Sequence, residues 1–283
     1  MTIMAKVISL VNMKGGVGKS TLAANIAWHY STYTNWAKRV LAVDLDPQFN
    51  LSQYLLGING YEENVFRTKS PTIWDIFEQY SHSPNASSRK VLPTEVVKRI
   101  VTFKNNAKID LIPSRLELAF SLKNPAQKEL LLTDFLSKIN EDYDLIVIDC
   151  PPTESLLTTS AYVCSDYVLV PVRPEFLSTV GLPLLAQSIA DFNGQYQRNL
   201  TIAGIVFNGI TNYSPEEIKS KEEVNEIAKM HGWYVFNNGI RYSRSYPKGA
   251  REGQPIFWTS YRRSEVSNEF AGFAQELAER IGL

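Results

Sequence analysis

Residues 14–21 read KGGVGKST, and each position in that string suits the holding of a nucleotide's phosphate chain. Gly15, Gly16 and Gly18 reach backbone conformations closed to other residues, so successive N–H groups, that of Val17 among them, can turn inward around a phosphate. Lys19 would neutralise the β- and γ-oxygens, Ser20 would offer its hydroxyl to Mg2+, and Thr21 would enter a helix whose positive end faces the anion. At average residue usage a chance match in a chain of this length is on the order of one in a hundred thousand or less. A second lysine, Lys14, stands five residues before Lys19 at the opposite lip of the loop. A one-subunit site has no need of it, and the plain alternative is a solvated charge on the rim.

Acidic residues follow the same logic. In VLAVDLDPQFNLS, Asp44 and Asp46 alternate by two and are expected on one side of a strand's carboxyl end, where Pro47 stops the strand. Beside a phosphate loop such a pair would hold Mg2+ through water or orient the attacking water, with a helix cap at Asp46 as the lesser alternative. In DLIVIDCPPT, Asp149 closes a run of four apolar residues, a costly place for a carboxylate without a partner. Mg2+ is the obvious partner, and the expected metal set is Ser20, Asp44 and Asp149.

These groups need elements to position them. Short aliphatic and β-branched runs at 6–12, 39–45, 108–113, 144–149, 167–172 and 200–208 read as strands buried on both faces. Segments 20–34, 127–141, 154–164, 176–193 and 215–231 are long enough for crossover helices. The alternation argues an α/β fold, one doubly wound, mostly parallel sheet flanked by helices, with ligands at the carboxyl ends of its strands. Residues 57–107 break the rhythm and read as an elaborated connection within a single domain spanning 1–283, with helices expected at 72–80 and 93–103. A helix of about 17 residues is expected to close the chain.

Composition narrows the function classes. The 283 residues carry 29 Lys+Arg against 29 Asp+Glu, and 44% are hydrophobic, which excludes a disordered or collagen-like chain. A formal net charge of zero leaves any attraction to nucleic acid or anionic lipid to a local patch. Cys150 and Cys164 are too few for a disulfide scaffold and fit no zinc spacing. No signal peptide or spanning segment is evident, so a cytoplasmic location is expected.

KGGVGKST with its extra lysine resembles the deviant Walker A box of the ParA/MinD family of ATPases. DLDPQ resembles that family's second Walker motif, DLIVIDCPPT its IDCPP signature, and SAYVCSDYVLVPVRPEFLSTVGL (160–182) its VLIPV-x-PE pattern. GIVFN (204–208) and YPKGAREGQPIFWTSYRRSEVSNEFAGFAQEL follow the family's later segments; the resemblance is weak across 57–107. The resemblance implies that Lys14 reaches across a nucleotide-sandwich homodimer to the partner's ATP. It also implies that Asp46 serves hydrolysis and that Asn208 helps read the adenine edge, where a plain turn residue is the alternative. A ParA-type protein would bind non-specific double-stranded DNA as an ATP-bound dimer, associate with the nucleoid, and position a plasmid, chromosome or protein assembly through a ParB-class adaptor. Because the phosphate loop starts at residue 14, operator-specific DNA binding is not expected.

For the DNA surface the candidates are Arg241, Arg244, Lys248, Arg251, Arg262 and Arg263, which face a single acid, Glu252, between 239 and 263 and are interleaved with aromatics. An ordinary solvated loop is the alternative. A second basic cluster, Arg89, Lys90, Lys98, Arg99, Lys104 and Lys108, lies in and just beyond the insertion. Two other functions compete. A MinD-like membrane ATPase would use the last helix, but its polar face carries Glu269, Glu276 and Glu279 against Arg280, which favours core packing for Phe270, Phe273, Ala274, Leu277 and Ile281. An iron–sulfur electron donor would need the two cysteines in a bridging setting that neither has.

Overall fold

The computed structural model describes residues 4–33, 36–79, 90–123, 128–175, 178–211 and 214–283. Arg89 and Phe176 lie outside them. All six expected strands form, as β1 (Lys6–Leu10), β2 (Arg39–Asp44), β4 (Lys108–Ile112), β5 (Leu145–Asp149), β6 (Tyr167–Val172) and β7 (Thr201–Ile210). Two more join them, β3 (Lys98–Thr102) and β8 (Ile240–Arg241), in one sheet of order β3-β4-β2-β5-β1-β6-β7-β8. Among the described residues only the β3–β4 pairing is antiparallel.

The helices are α1 (Lys19–Thr32), α2 (Asn50–Leu56), α3 (Ile58–Tyr61), α4 (Ile73–Glu78), α5 (Pro93–Val96), α6 (Leu131–Leu136), α7 (Leu156–Cys164), α8 (Ser178–Tyr196), α9 (Pro215–Met230), α10 (Ser245–Glu252) and α11 (Ser264–Ile281). They cover both faces of the sheet, and the strands alternate to feed both. Leu41, Val43, Ile146, Ile148, Val168 and Val170 point to the layer of α4, α6, α7, α8 and α9. Val40, Ala42, Leu145, Val147 and Leu169 point to the layer of α1, α2 and α11. Every strand between the edges is thus buried on both sides, which is why their sequences read as continuous apolar runs.

Two local expectations give way. The helix foreseen at 93–103 is only one turn, opened by Pro93 in the first helical position, and the chain then extends as β3. The β-branched residues of KRIVT pair with β4, and the cations Lys98 and Arg99 sit on the sheet's edge, where charge discourages further pairing. The helix foreseen at 127–141 shrinks to α6; Asn140 falls in a tighter turn, and its side-chain oxygen accepts the backbone N–H of Ala5 at 2.9 Å, anchoring the start of β1. Gln127 lies outside the described residues.

Centrality of β1 decides where the site lies. It is flanked by β5 and β6, and the chain passes from it to β2 on one side and later to β6 on the other. The loop after β1 therefore opens at the switch point of the sheet, with the ends of β2 and β5 beside it. Helix α1, which the loop feeds, is buried almost all round, and Ala23, Ala24 and Ala27 let it approach the sheet closely.

Candidate functional site

Gly16 and Gly18 take φ of 75° and 90°, so the loop turns through left-handed conformations before α1 begins at Lys19. A side chain at Gly18 would also collide with the Asn208 amide, which donates to the Val17 carbonyl at 2.7 Å. Asn208 thus braces the loop. It stands inside β7, which runs on to Ile210 because β8 pairs with it there, so the strand does not close at Asn208 as the sequence suggests. Lys19 is buried and folds back under the loop, donating from Nζ to the carbonyls of Asn12 at 3.1 Å and Lys14 at 3.3 Å. Burial lowers its pKa, opposed by Asp149, Cys150 and Asp46. No acid occupies the first turn of α1, which leaves its exposed N–H groups for an external anion.

The three strand-end carboxylates separate into distinct settings. Asp44 ends β2 fully buried, with Oδ2 accepting from the Ser52 backbone at 2.7 Å and the Ser52 hydroxyl at 2.6 Å, and Oδ1 accepting from the Asp46 backbone at 3.2 Å. It pins α2 to the sheet. Burial, only partly opposed by those bonds, raises its pKa to about 7. Asp46 lies two residues beyond the end of the strand, next to Asp44. Its Oδ1 accepts from the Gln48 backbone at 2.9 Å in a turn, and the cap position of α2 belongs to Phe49 instead. Burial raises its pKa, opposed by the Gln48 bond and the Lys19 ammonium.

Asp149, in register with Asp44 on the neighbouring strand, is fully buried with neither carboxylate oxygen hydrogen-bonded among the described residues. Burial and then the Asp44 charge raise its pKa well above the ordinary range; Ser20 and Lys19 are near enough to oppose the shift without closing a hydrogen bond geometry. A buried orphan acceptor of this kind calls for a cation.

Gly15, Gly16, Gly18, Lys19, Ser20 and Thr21 line a cavity of about 670 Å3, with Asp46 and Arg251 on its walls. A smaller one of about 210 Å3 adjoins it along Gly16, Gly18 and Thr21, walled by Asn208, Arg173, Arg241 and Tyr246. The chain therefore offers a phosphate cradle with a second recess beside it. Lys14 lies at the lip, held by Glu175 at 2.7 Å, and Glu175 also pairs with Arg173 at 3.2 Å.

The AAA domain family matches residues 5–202 of this chain. The chromosome-partitioning ATPase Soj of Treponema pallidum is 30% identical over 280 residues, spanning 99% of each protein. The chain belongs to the ParA-type partition ATPases. The Cyanothece McdA–ATP complex shares the ParA-type fold at a TM-score of 0.78 and 19% identity, over 99% of this chain and 97% of that one. A plasmid partition protein of Borrelia burgdorferi B31 bound to AMPPNP superposes at a TM-score of 0.72 and 22% identity, over 98% and 100%.

Within this ParA-type chain the six basic residues of 239–263 are not one free positive field. Arg241 pairs with Glu269 at 2.7 Å and Glu265 at 3.7 Å, and Lys248 pairs with Glu252 at 3.0 Å. Arg251 opens on the phosphate-loop cavity, and Arg262 lines a groove with Tyr33 and Trp258. Arg244 and Arg263 are exposed. In the insertion cluster, Arg99 and Lys108 both pair with the buried Asp110.

The rival readings find no support in these positions. The apolar face of α11 is buried in the core, and no helix among the described residues is long and apolar enough to cross a membrane. Cys150 is buried in the core and Cys164 packs against it, its Sγ 3.0 Å from the Thr133 hydroxyl. Gln48, which closes the DLDPQ string, also lines the main cavity, as do Asn50, Gln53 and Tyr54, to which the sequence motifs assign no role.

Proposed function

We propose that this chain binds ATP with Mg2+, dimerises around two nucleotides, hydrolyses the ATP, and as the ATP-bound dimer holds double-stranded DNA without sequence preference while a ParB-class adaptor couples it to a cargo. One observation carries the reading: a glycine loop closed over a buried lysine faces Asp46 and stands above the unpartnered Asp149 carboxylate. Kinship with proteins named for chromosome and plasmid partition supports the cargo role.

In this reading the loop N–H groups and Lys19 hold the β- and γ-phosphates, and the paired cavity next to Asn208 receives the base. The Ser20 hydroxyl and Asp149 carboxylate fit Mg2+, a hard cation that takes oxygen ligands and keeps several waters. When bound, Mg2+ would neutralise the phosphate oxygens as charge shifts to the leaving group. Asp44, already engaged with Ser52, fixes α2 and with it the turn that presents Asp46. Asp46 keeps Oδ2 free of partners among the described residues and orients the attacking water. Lys14 completes the partner subunit's site, adding positive charge only in the dimer, so that hydrolysis depends on assembly.

DNA binding would rest on Arg244, Arg262 and Arg263, none of which makes a side-chain ion pair among the described residues. Dimerisation places two copies of them on one body and roughly doubles the electrostatic binding free energy. Phosphate release from ATP by the purified protein tests the enzymatic core. Turnover that requires Mg2+ and is abolished in Lys19→Ala is expected; a wild-type protein that fails to bind ATP overturns the reading.

A further inference from the structure

The nucleotide site as the sequence defines it is short of positive charge. Asp46 and the buried ammonium of Lys19 line the cavity, the carboxylates of Asp44 and Asp149 lie buried close to them, and Lys14 is occupied by Glu175 at the lip. A polyphosphate entering that cavity is favoured by further positive charge from the protein, and among the described residues that line it Arg251 is the one cation besides Lys19. Arg251, near the end of α10, lines the same cavity as the phosphate loop, Ser20 and Asp46, more than two hundred positions away in sequence. It makes no ion pair or side-chain hydrogen bond among the described residues.

Its helix is held where it is by a buried knot that ties three elements together. Asn25 on α1 donates to the Tyr54 hydroxyl at 3.1 Å and accepts the Ile256 backbone N–H at 3.0 Å. Tyr54 on α2 in turn donates to the Gln254 carbonyl at 3.1 Å. Gly249 shows how close the approach is, since a Cβ there would come within 2.6 Å of both the Tyr54 hydroxyl and the Gln254 carbonyl. The helix that follows the phosphate loop, the helix that follows Asp46, and the helix bearing Arg251 are therefore one rigid frame around the cavity.

We propose that Arg251 is a phosphate-contact residue of the nucleotide site, its planar guanidinium binding the polyphosphate from the side opposite the buried Lys19. This rests on the ATP-binding reading given above. The guanidinium fork matches two phosphate oxygens at once, and it stays charged at any working pH. Arg251 thereby leaves the DNA surface and joins the site that controls it.

The test is equilibrium binding of ATP and ADP by competition with a fluorescent ATP analogue, followed by anisotropy, on the full chain with Mg2+. Arg251→Ala should weaken both nucleotides by about tenfold, the size of one charge-assisted hydrogen bond removed, and Arg251→Lys should recover part of that affinity. The melting temperature of the nucleotide-free protein should not move, because the side chain has no partner to lose. Unchanged nucleotide affinity in Arg251→Ala overturns the proposal, as does a loss matched by a drop in nucleotide-free melting temperature. Weakened DNA binding with intact ATP affinity overturns it too and returns Arg251 to the DNA surface. Failure of the wild-type protein to bind ATP would instead strike the proposed function itself.

Discussion

Lys14 Nζ lies 2.7 Å from Glu175 Oε2, so the lysine that the loop does not need for its own nucleotide is held by a carboxylate of the same chain. Arg173, also on Glu175, shares that anchor. For Lys14 to reach a partner subunit the pair has to open. With the Glu175 side chain 46% exposed, the pair contributes about 0.2–1 kcal/mol. Because each of the two chains must release its own Lys14, Glu175→Gln should strengthen ATP-dependent dimerisation by about fivefold per pair at most, or roughly thirtyfold for the dimer, measured by analytical ultracentrifugation over a concentration series. A weaker dimer in that variant would show that Glu175 serves the dimer contact and not the release of Lys14.

Asp46 and Asp149 should separate on mutation. Asp46→Ala is expected to bind Mg·ATP and persist as a dimer while turnover falls by about a hundredfold or more, since it removes a group that acts on the attacking water. Loss of nucleotide binding in that variant would mark Asp46 as a structural residue.

Asp149→Asn should act on the cation and on nucleotide-free stability instead. Its carboxylate is fully buried and unpartnered, and its pKa is raised by burial and by Asp44. With the folded pKa above the unfolded one, the unfolded chain holds fewer protons as pH rises past the ordinary carboxylate range, so stability of the nucleotide-free protein declines with pH there. Replacing the carboxyl by an amide should raise nucleotide-free stability more at high pH than at low pH. The same change should erase the extra stabilisation that Mg2+ adds to ATP, both read by thermal melts.

A second pH effect has the opposite sign and lies far from the nucleotide. His29 is 3% exposed on α1, its Nδ1 is buried without a hydrogen-bond partner among the described residues, and burial lowers its pKa from 6.5 to about 4. Between those values the unfolded chain binds more protons, so stability rises with pH through the window and is lost as pH falls through it. The ceiling on this contribution is about 3 kcal/mol. His29→Leu should flatten that part of the profile of melting temperature against pH; an unchanged slope between pH 4 and 6.5 would mean that His29 is not the group responsible.

Much of the fold and of the site is legible in the sequence, for reasons that differ by residue. The loop 14–21 reads directly because its task fixes nearly every position, and the six main strands read because burial on both faces leaves continuous apolar runs. Strand β3 does not, since KRIVT is a half-exposed edge whose pairing with β4 no local pattern encodes. Alternation brings Asp44 and Asp46 together, but it does not reveal that β2 stops at Asp44 and that Asp46 sits in a turn accepting the Gln48 N–H. The basic stretch 239–263 misleads in a different way. Charge along a sequence does not show which cations find acids in space, and Arg241 and Lys248 find theirs on α11 and within α10.

That sorting sharpens the DNA prediction. The triple variant Arg244→Ala, Arg262→Ala, Arg263→Ala should weaken random duplexes of all sequences alike, and should lower the salt slope by about 0.9 for each phosphate no longer neutralised. Arg241→Ala, already tied to Glu265 and Glu269, should change the slope little. Fluorescence anisotropy at several salt concentrations reads both. An unchanged slope in the triple variant would turn attention to Lys90, Lys98 and Lys104 in the insertion.

The most direct test of a dimer built around two nucleotides is the mass of the protein in solution, taken by light scattering on Asp46→Ala so that ATP is not consumed. With Mg·ATP the mass should be that of two chains, with ADP that of one, and adding Lys14→Ala should return the ATP sample to one chain while nucleotide binding persists. A mass that is the same in ATP and ADP, or a dimer that survives the loss of Lys14, would contradict the cross-subunit site.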